Sequence, residues 1–134
     1  MKDIGNRYEI SSLTNDKVKL INSLHHRKYR REHNLFVAEG VRICREAAEN
    51  GWEIRYLLYD NLNIDTHIIE NLINDVLCLG ADVIGVTSEI LSKISHKENP
   101  QNVLCVISQK WNDLPIVIKE KTFVALETVR DPGN

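Results

Sequence analysis

The sequence contains few cysteines and no long apolar stretch. Its three cysteines, Cys44, Cys78 and Cys105, lie far apart and form no CxxC pair. Neither a disulfide framework nor a thiolate metal site is therefore predicted. The chain lacks the run of about 18 apolar residues that a membrane span needs, and residues 1–10 lack the apolar segment of a signal peptide. These absences favour a protein of the reducing cytoplasm that needs neither a metal nor a membrane.

The sequence also lacks the common short motifs of catalytic and nucleotide-binding sites. It contains no phosphate-binding loop, no glycine-rich dinucleotide motif, no HExxH pair of a zinc protease and no GxSxG of a hydrolase. Cys44 and Cys105 fall on apolar stripes, where a buried, unreactive thiol is the usual role. We therefore assign both thiols to the core.

Length and composition are those of one globular domain. The chain has 134 residues, of which 43% are hydrophobic and 27% are charged. At this length folding can bury roughly two-thirds of the unfolded surface, so the core needs no disulfide or metal to be stable.

The small net charge of −2 hides a strong asymmetry along the chain. Residues 17–31 carry six cations and no acid, which leaves 11 cations against 19 acids, a net charge of −8, elsewhere. The six are Lys17, Lys19, Arg27, Lys28, Arg30 and Arg31. A positive face on an acidic body is typical of nucleic-acid binding. The alternative is a solvated helix end whose cations complement the helix dipole.

Hydrophobic periodicity predicts one helix followed by alternating strands and helices. The first helix covers residues 15 to about 31, is capped by Thr14 or Asn15, and loses its apolar stripe after Leu24. Strands are predicted at Leu35–Ala38, Trp52–Tyr59, Val83–Val86 and Val103–Ile107, with helices near 41–48, 64–78 and 88–94 between them. This order predicts an α/β protein, a three-layer α/β/α sandwich around a mainly parallel or mixed four-stranded sheet, preceded by a basic helix.

The last part of the chain differs in pattern from the domain before it. Residues 109–120 are predicted to form a linker, and Thr122–Leu126 a fifth strand. Asp131-Pro132-Gly133-Asn134 then suits a tight turn. We expect this segment to begin a second domain; a frayed terminus is the alternative.

Glu39-Gly40 is a candidate site because it joins a strand to a helix, where open α/β sheets place ligand contacts. Glu39 is a candidate to bind a ligand or to orient Arg42, although an acid is also favoured at a helix amino terminus. The loop 96–102 contains hydrogen-bond donors and acceptors but no evident catalytic set.

Five segments, taken together, carry a resemblance that none of them carries alone. They are Ile10–Leu13 with Asn15 and Lys19, then Arg27–Arg31, Leu35–Gly40, Asn99–Gln101 and Asp131–Asn134. In this order and spacing, over nearly the whole chain, the sequence resembles the SpoU/TrmH family of SPOUT RNA methyltransferases. Two departures are Asn102, where the family usually has Gly, and Glu127-Thr128, where it usually has Asp-Gly.

The resemblance implies an RNA substrate-binding domain at residues 1–108, with the fold of kink-turn-binding ribosomal proteins. It implies that residues 121–134 are the first strand and motif of a truncated, knotted SPOUT domain. Asn134 would match the motif's asparagine. The family's catalytic arginine and its S-adenosylmethionine-binding knot follow later.

The implied function is that of the amino-terminal part of an S-adenosylmethionine-dependent ribose 2′-O-methyltransferase acting on rRNA or tRNA. This chain alone is expected to bind no S-adenosylmethionine and to be inactive. The residues implied to contact RNA are Lys19, Arg27, Lys28, Arg30, Arg31, Glu39, Arg42, His96 and Gln101. The intact enzyme is expected to be a homodimer, and this piece a monomer. Alternatives are a stand-alone RNA-binding protein of the kink-turn-binder type without catalysis, and a small α/β interaction or metabolite-binding domain.

Overall fold

The computed structural model describes residues 3–113 and 122–127. The elements are β1 (Arg7–Ile10), α1 (Asp16–Ser23), α2 (Arg27–His33), β2 (Leu35–Glu39), α3 (Val41–Glu49), β3 (Ile54–Asp60), α4 (Thr66–Cys78), β4 (Asp82–Val86), α5 (Ser88–Ser95) and β5 (Val103–Ser108). No helix in these ranges has both the length and the apolar character needed to cross a membrane. Most of the expected linker, the turn at 131–134 and Asn134 lie outside the described residues.

The five strands form one mixed sheet in the order β1-β4-β3-β5-β2. β1, β4 and β3 are parallel, and β5 runs antiparallel to both of its neighbours, β3 and β2. The carboxyl ends of β1, β2, β3 and β4 therefore share one edge of the sheet with the amino end of β5. We call this the carboxyl edge.

Helices cover both faces of the sheet. One apolar cluster lies beneath α3 and α4 and includes Leu57, Val83 and Cys105; the other lies beneath α1 and α5 and includes Leu58, Ile84 and Leu104. Neighbouring residues of each strand thus point to opposite faces and both are buried, as in a covered sheet. The three-layer α/β/α prediction is confirmed.

The core assignment of two cysteines is also confirmed. Cys44 and Cys105 are fully buried. A hydrogen bond with Cys44, together with burial, raises the pKa of the Cys105 thiol, which keeps it in the unreactive thiol form.

The prediction of four strands was wrong by one, because it missed β1. This strand has only four residues, Arg-Tyr-Glu-Ile, and half of them are polar. Tyr8 and Ile10 pack against the core while Arg7 and Glu9 face outward. Such a short alternating segment becomes a strand through pairing with β4.

The single helix predicted over residues 15–31 was wrong, because the chain forms two helices there. α1 is capped by Asn15 and ends after Ser23, whose hydroxyl donates to Leu20 O at 2.6 Å. His26 is extended, with φ −86° and ψ 130°, before α2 begins. The break lies where the apolar stripe stops at Leu24, which is itself buried. Beyond it the chain turns to lead into β2.

The strand predicted at Thr122–Leu126 was also wrong. Residues 122–127 are exposed and form no regular element; Val124 is 81% exposed and Leu126 78%. A strand requires hydrogen bonds to a neighbouring strand, and within the described residues none pairs with this segment. The assignment of 121–134 to a separate domain stays a prediction.

Candidate nucleic-acid interface

Glu39 lies at the carboxyl edge, where β2 ends, and holds the loop 96–102 in place. Its Oε2 is 2.8 Å from Lys97 Nζ. Its Oε1 accepts hydrogen bonds from the backbone N–H of Gln101 at 2.7 Å and from Ser95 Oγ at 3.0 Å. The Glu39 side chain is only 10% exposed, so these three partners replace most of its contact with water.

These partners determine the ionisation of Glu39. Burial acts to raise its pKa, but the hydrogen bonds from Lys97, the Gln101 backbone and Ser95 outweigh it, so the pKa lies below the usual value. Glu39 is therefore an anion at neutral pH whose charge is used internally. Its described bonds do not include one to Arg42, which is exposed in the first turn of α3.

Gly40 allows the sharp turn from β2 into α3. Its φ is +113°, a backbone angle that residues other than glycine rarely adopt, and its N–H donates to Val103 O at 2.8 Å. A Cβ at this position would come within 3.9 Å of Gln101 Cγ. The turn, β5 and the loop 96–102 therefore pack closely around the end of β2.

Asp60, which the sequence analysis missed, organises the neighbouring strand end. It is 2% exposed and is the last residue of β3. Its oxygens accept from Leu62 N (3.0 Å), Asn63 N (3.1 Å), Asn63 Nδ2 (3.0 Å) and Ser88 Oγ (2.5 Å). Burial acts to raise the pKa of Asp60, but the hydrogen bonds, led by that from Ser88, outweigh it, so the pKa lies below the usual value. The signal that could have identified Asp60 from the sequence is an acidic residue at the end of an apolar strand.

A cleft of about 260 Å³ opens beside Asp60. It is lined by Asp60, Asn63, Ser88, Leu91 and the loop residues Asn99, Pro100, Gln101 and Asn102. Asn102 Nδ2 donates to Asn63 O at 3.2 Å, and Asn102 O accepts from Asp60 N at 2.9 Å. Asn102, one departure from the family pattern, thus joins the loop to β3. The left-handed residue of this loop is His96, with φ 56°.

His96 connects the loop to the segment between α1 and α2. Its ring stacks on His25, with centroids 3.8 Å apart, and its Nε2 lies 2.8 Å from Asn22 Oδ1. His25 Nε2 in turn contacts Ile94 O. Burial and electrostatic repulsion from the neighbouring His25 and His26 lower the pKa of His96 below its usual value, which favours the neutral ring at neutral pH.

Of the six cations of residues 17–31, two anchor one segment of the fold to another, and four are exposed to solvent. Lys17 Nζ contacts Tyr8 OH and Asp82 Oδ2, the latter at 3.2 Å, and so joins α1 to the sheet. Arg30 Nη1 donates to Leu24 O at 2.9 Å and His25 O at 2.5 Å, which ties α2 to the end of α1. Both are anchors.

The other four cations are exposed. Arg27, Lys28 and Arg31 project from α2. Lys19 lies on α1, 3.6 Å from Asp16, and is 61% exposed.

The structure therefore brings together α2, His25, His96, the loop and Glu39 through a continuous series of contacts. Arg30 reaches His25, His25 stacks on His96, and the loop that begins at His96 is held by Glu39. Gln101 takes part through its backbone N–H. No group of three His, Cys, Asp or Glu side chains within residues 3–113 and 122–127 is arranged to hold a metal ion.

Comparison with known proteins identifies this domain. Residues 15–105, which include α1 to α5, match the family described as MRM3-like substrate binding domain. The chain belongs to this family. The match covers α2, the Glu39-Gly40 turn and the loop 96–102, so it includes the whole interface described above.

Individual relatives agree with the family and confirm the SpoU/TrmH resemblance. The chain is 26% identical over 126 residues to the 23S rRNA (guanosine(2553)-2′-O)-methyltransferase RlmP of Bacillus subtilis, covering 94% of this chain and 46% of RlmP. An rRNA methyltransferase from Sinorhizobium meliloti has a similar structure, with a TM-score of 0.72 and 31% identity over 81% of this chain and 39% of its own.

A third relative was solved with its cofactor. The SpoU methyltransferase AviRb from Streptomyces viridochromogenes, in complex with AdoMet, matches with a TM-score of 0.61 and 25% identity over 79% of this chain and 40% of its own. The chain thus spans less than half the length of these relatives.

Proposed function

We propose that this chain is the RNA-binding, amino-terminal part of an S-adenosylmethionine-dependent rRNA ribose 2′-O-methyltransferase. The observation that carries the proposal is that α2, with its exposed cations, is joined through Arg30, His25 and His96 to the loop held by Glu39, within a domain shared with RlmP. Two named relatives act on rRNA by their titles, which favours rRNA over tRNA. The proposed setting is the cytoplasm, with the intact enzyme a homodimer.

The reaction explains why a separate binding domain is useful. A neutral ribose hydroxyl is a poor nucleophile, so methyl transfer depends on precise positioning of the 2′-oxygen. S-adenosylmethionine, when bound by the intact enzyme, supplies the methyl group. The residues of this chain hold the RNA, and Asn134 is proposed as the first motif residue of the catalytic domain.

The interface residues have different proposed roles. Arg27, Lys28 and Arg31 contact phosphates, which contribute affinity and orientation but little sequence information. The cleft beside the loop offers amide donors and acceptors to RNA bases. Glu39 acts as a positioning residue, because its oxygens are occupied by the loop.

The salt dependence of RNA binding tests this proposal. Arg27→Ala, Lys28→Ala and Arg31→Ala would each be titrated with a labelled rRNA hairpin over a range of salt concentrations. Each variant is expected to weaken binding. If a phosphate contact is lost, the plot of the logarithm of the binding constant against the logarithm of the salt concentration should become less steep by about 0.7. Arg30 is left intact because it anchors α2.

The matched control is Arg55→Ala. Arg55 is also an exposed arginine, 54% accessible, and it lies on β3 in an ion pair with Glu53 at 3.6 Å. This variant removes the same charge and should leave the slope unchanged. Equal slopes for the α2 variants and the wild type would remove α2 from the RNA site. Absence of salt-sensitive binding altogether would instead favour a small-molecule or protein-interaction domain.

A further inference from the structure

We propose that α2 binds unpaired nucleotides by stacking their bases on a row of aromatic rings. This inference rests on the proposed function, and it specifies which RNA structure the helix contacts. The ring row consists of His26, Tyr29 and His33. The centroids of His26 and Tyr29 are 6.2 Å apart, with the rings edge to face at 71°, and those of Tyr29 and His33 are 6.4 Å apart, with the rings inclined by only 19°.

The ring row lies on one side of the helix. Tyr29 and His33 are four residues apart, a spacing that places side chains above one another on a helical surface, and His26 stands at the N-cap position just before the helix. The row therefore extends about 10 Å along the helix axis.

The rings are not part of the protein core. α2 contains no buried residue; His26 and His33 are exposed, and Tyr29 is partly exposed. Among the described residues, no hydrogen bond of a His26, Tyr29 or His33 side chain stabilises the fold, and His26 makes no side-chain cap to α2. An aromatic side chain usually contributes by burial. These rings are placed where a ligand can reach them.

Cations flank the ring row. Lys28 Nζ lies 5.5 Å from the centre of the Tyr29 ring, and Arg27 and Arg31 are exposed on the same short helix. Rings that accept stacked bases, combined with cations that follow the backbone phosphates, are the combination by which proteins bind single-stranded nucleic acid. An acidic peptide would use the cations but would leave the rings without a role.

Paired RNA does not fit this surface in the same way. In an A-form helix the faces of the bases are stacked on one another, and side chains reach only edges, riboses and phosphates. Stacking on Tyr29 requires a base that has left the helical stack. The ring row therefore favours a loop, bulge or strand end as the element held by α2.

The test compares two RNAs and three forms of the full chain. One RNA is a hairpin with an unpaired loop that carries the fluorescent base 2-aminopurine; the other is a fully paired duplex of the same length. Tyr29→Leu keeps an apolar side chain and helix propensity but removes the ring. Tyr29→Phe keeps the ring. Thermal unfolding of each variant checks that the fold is retained.

We expect Tyr29→Leu to weaken binding of the hairpin by about 5- to 150-fold, the range that corresponds to loss of one stacked base, and to change duplex binding little. The salt slope should stay constant because tyrosine carries no charge. Tyr29→Phe should bind as the wild type does. The 2-aminopurine fluorescence should change on binding to wild type and Tyr29→Phe, but not to Tyr29→Leu.

Equal affinity of wild type and Tyr29→Leu for the hairpin would overturn the stacking inference. So would an equal loss for hairpin and duplex. In both cases the proposed function would stand if Arg31→Ala still lowered the salt slope. If the wild type bound neither RNA at low salt, the proposed function itself would fail.

Discussion

Single residues at the carboxyl edge use their charge to hold neighbouring segments of the chain. Glu39 is the main example, since its three partners belong to the end of α5 and the loop 96–102. Sequence spacing singled out Glu39 as a candidate to bind a ligand or to orient Arg42. It could not identify the partners, because Ser95 and Gln101 are more than fifty positions away.

Glu39→Gln tests this holding role. The amide keeps the size and can still accept hydrogen bonds, but it loses the charged pair with Lys97. We expect the free energy of unfolding to fall by about 1 kcal/mol, since bonds to charged groups exceed neutral ones by roughly that amount. Faster hydrogen exchange of the Gln101 amide should accompany it. Glu98→Gln, an exposed acid in the same loop, is the control.

The pH dependence of the same contact has a defined sign. The pKa of Glu39 in the folded protein is lower than its ordinary value of 4.5. The stabilisation that ionised Glu39 provides is therefore fully present above about pH 4.5 and is lost as the pH falls through the pKa of the folded state. Glu39→Gln should remove this part of the acid sensitivity. Identical exchange of the Gln101 amide in wild type and variant across this pH range would contradict the role.

At the scale of elements, β1 depends on one close approach that only glycine permits. A Cβ on Gly5 would lie 1.9 Å from Ala81 O, a backbone atom that cannot move independently of β4. The Gly5 N–H donates to Leu77 O at 2.9 Å, and Asn6 O accepts from Val83 N at 2.8 Å. These bonds lead the chain into its pairing with β4.

Gly5→Ala should therefore loosen β1. We expect the free energy of unfolding to fall by about 2 kcal/mol or more, as for other insertions into tightly packed sites, with lost amide protection in β1. Gly51→Ala serves as the comparison: φ is +67° there, but nothing lies within 4 Å of the added Cβ. It should cost only about 1 kcal/mol of backbone strain. A Gly5→Ala protein with protected β1 amides would show that the strand tolerates the contact.

Local signals predicted the helices well where caps and apolar stripes coincide. Asn15 was one of the two expected caps of the first helix, and it caps α1 in the structure. The exception is the break between α1 and α2. Its cause is the burial of Leu24 and the contact of His25 with α5, and neither is a property of the local sequence.

At the scale of the whole molecule, the chain spans less than half the length of its relatives, and its residues 15–105 match a family described as a substrate binding domain. We expect isothermal titration of this 134-residue chain with S-adenosylmethionine to give no saturable heat. AviRb, which was solved with AdoMet, is the positive control. Saturable binding to this chain would show that the expected location of the cofactor site is wrong.

The sequence by itself determined the order of helices and strands from β2 to β5, the burial of Cys44 and Cys105, and the concentration of cations in residues 17–31. Periodicity, capping and charge are encoded over a few neighbouring residues, so they can be recognised without a structure. The family resemblance rested on such short segments in a constant order.

Only the tertiary structure decided that β5 runs antiparallel between β3 and β2, and that β1 is a strand. It also brought Glu39 to the loop 96–102, His25 onto His96 and Asp60 onto Ser88. These contacts join residues far apart in the chain. They form because backbone hydrogen bonding and burial of two apolar faces must be satisfied together, and that condition applies to the whole sheet rather than to any one segment.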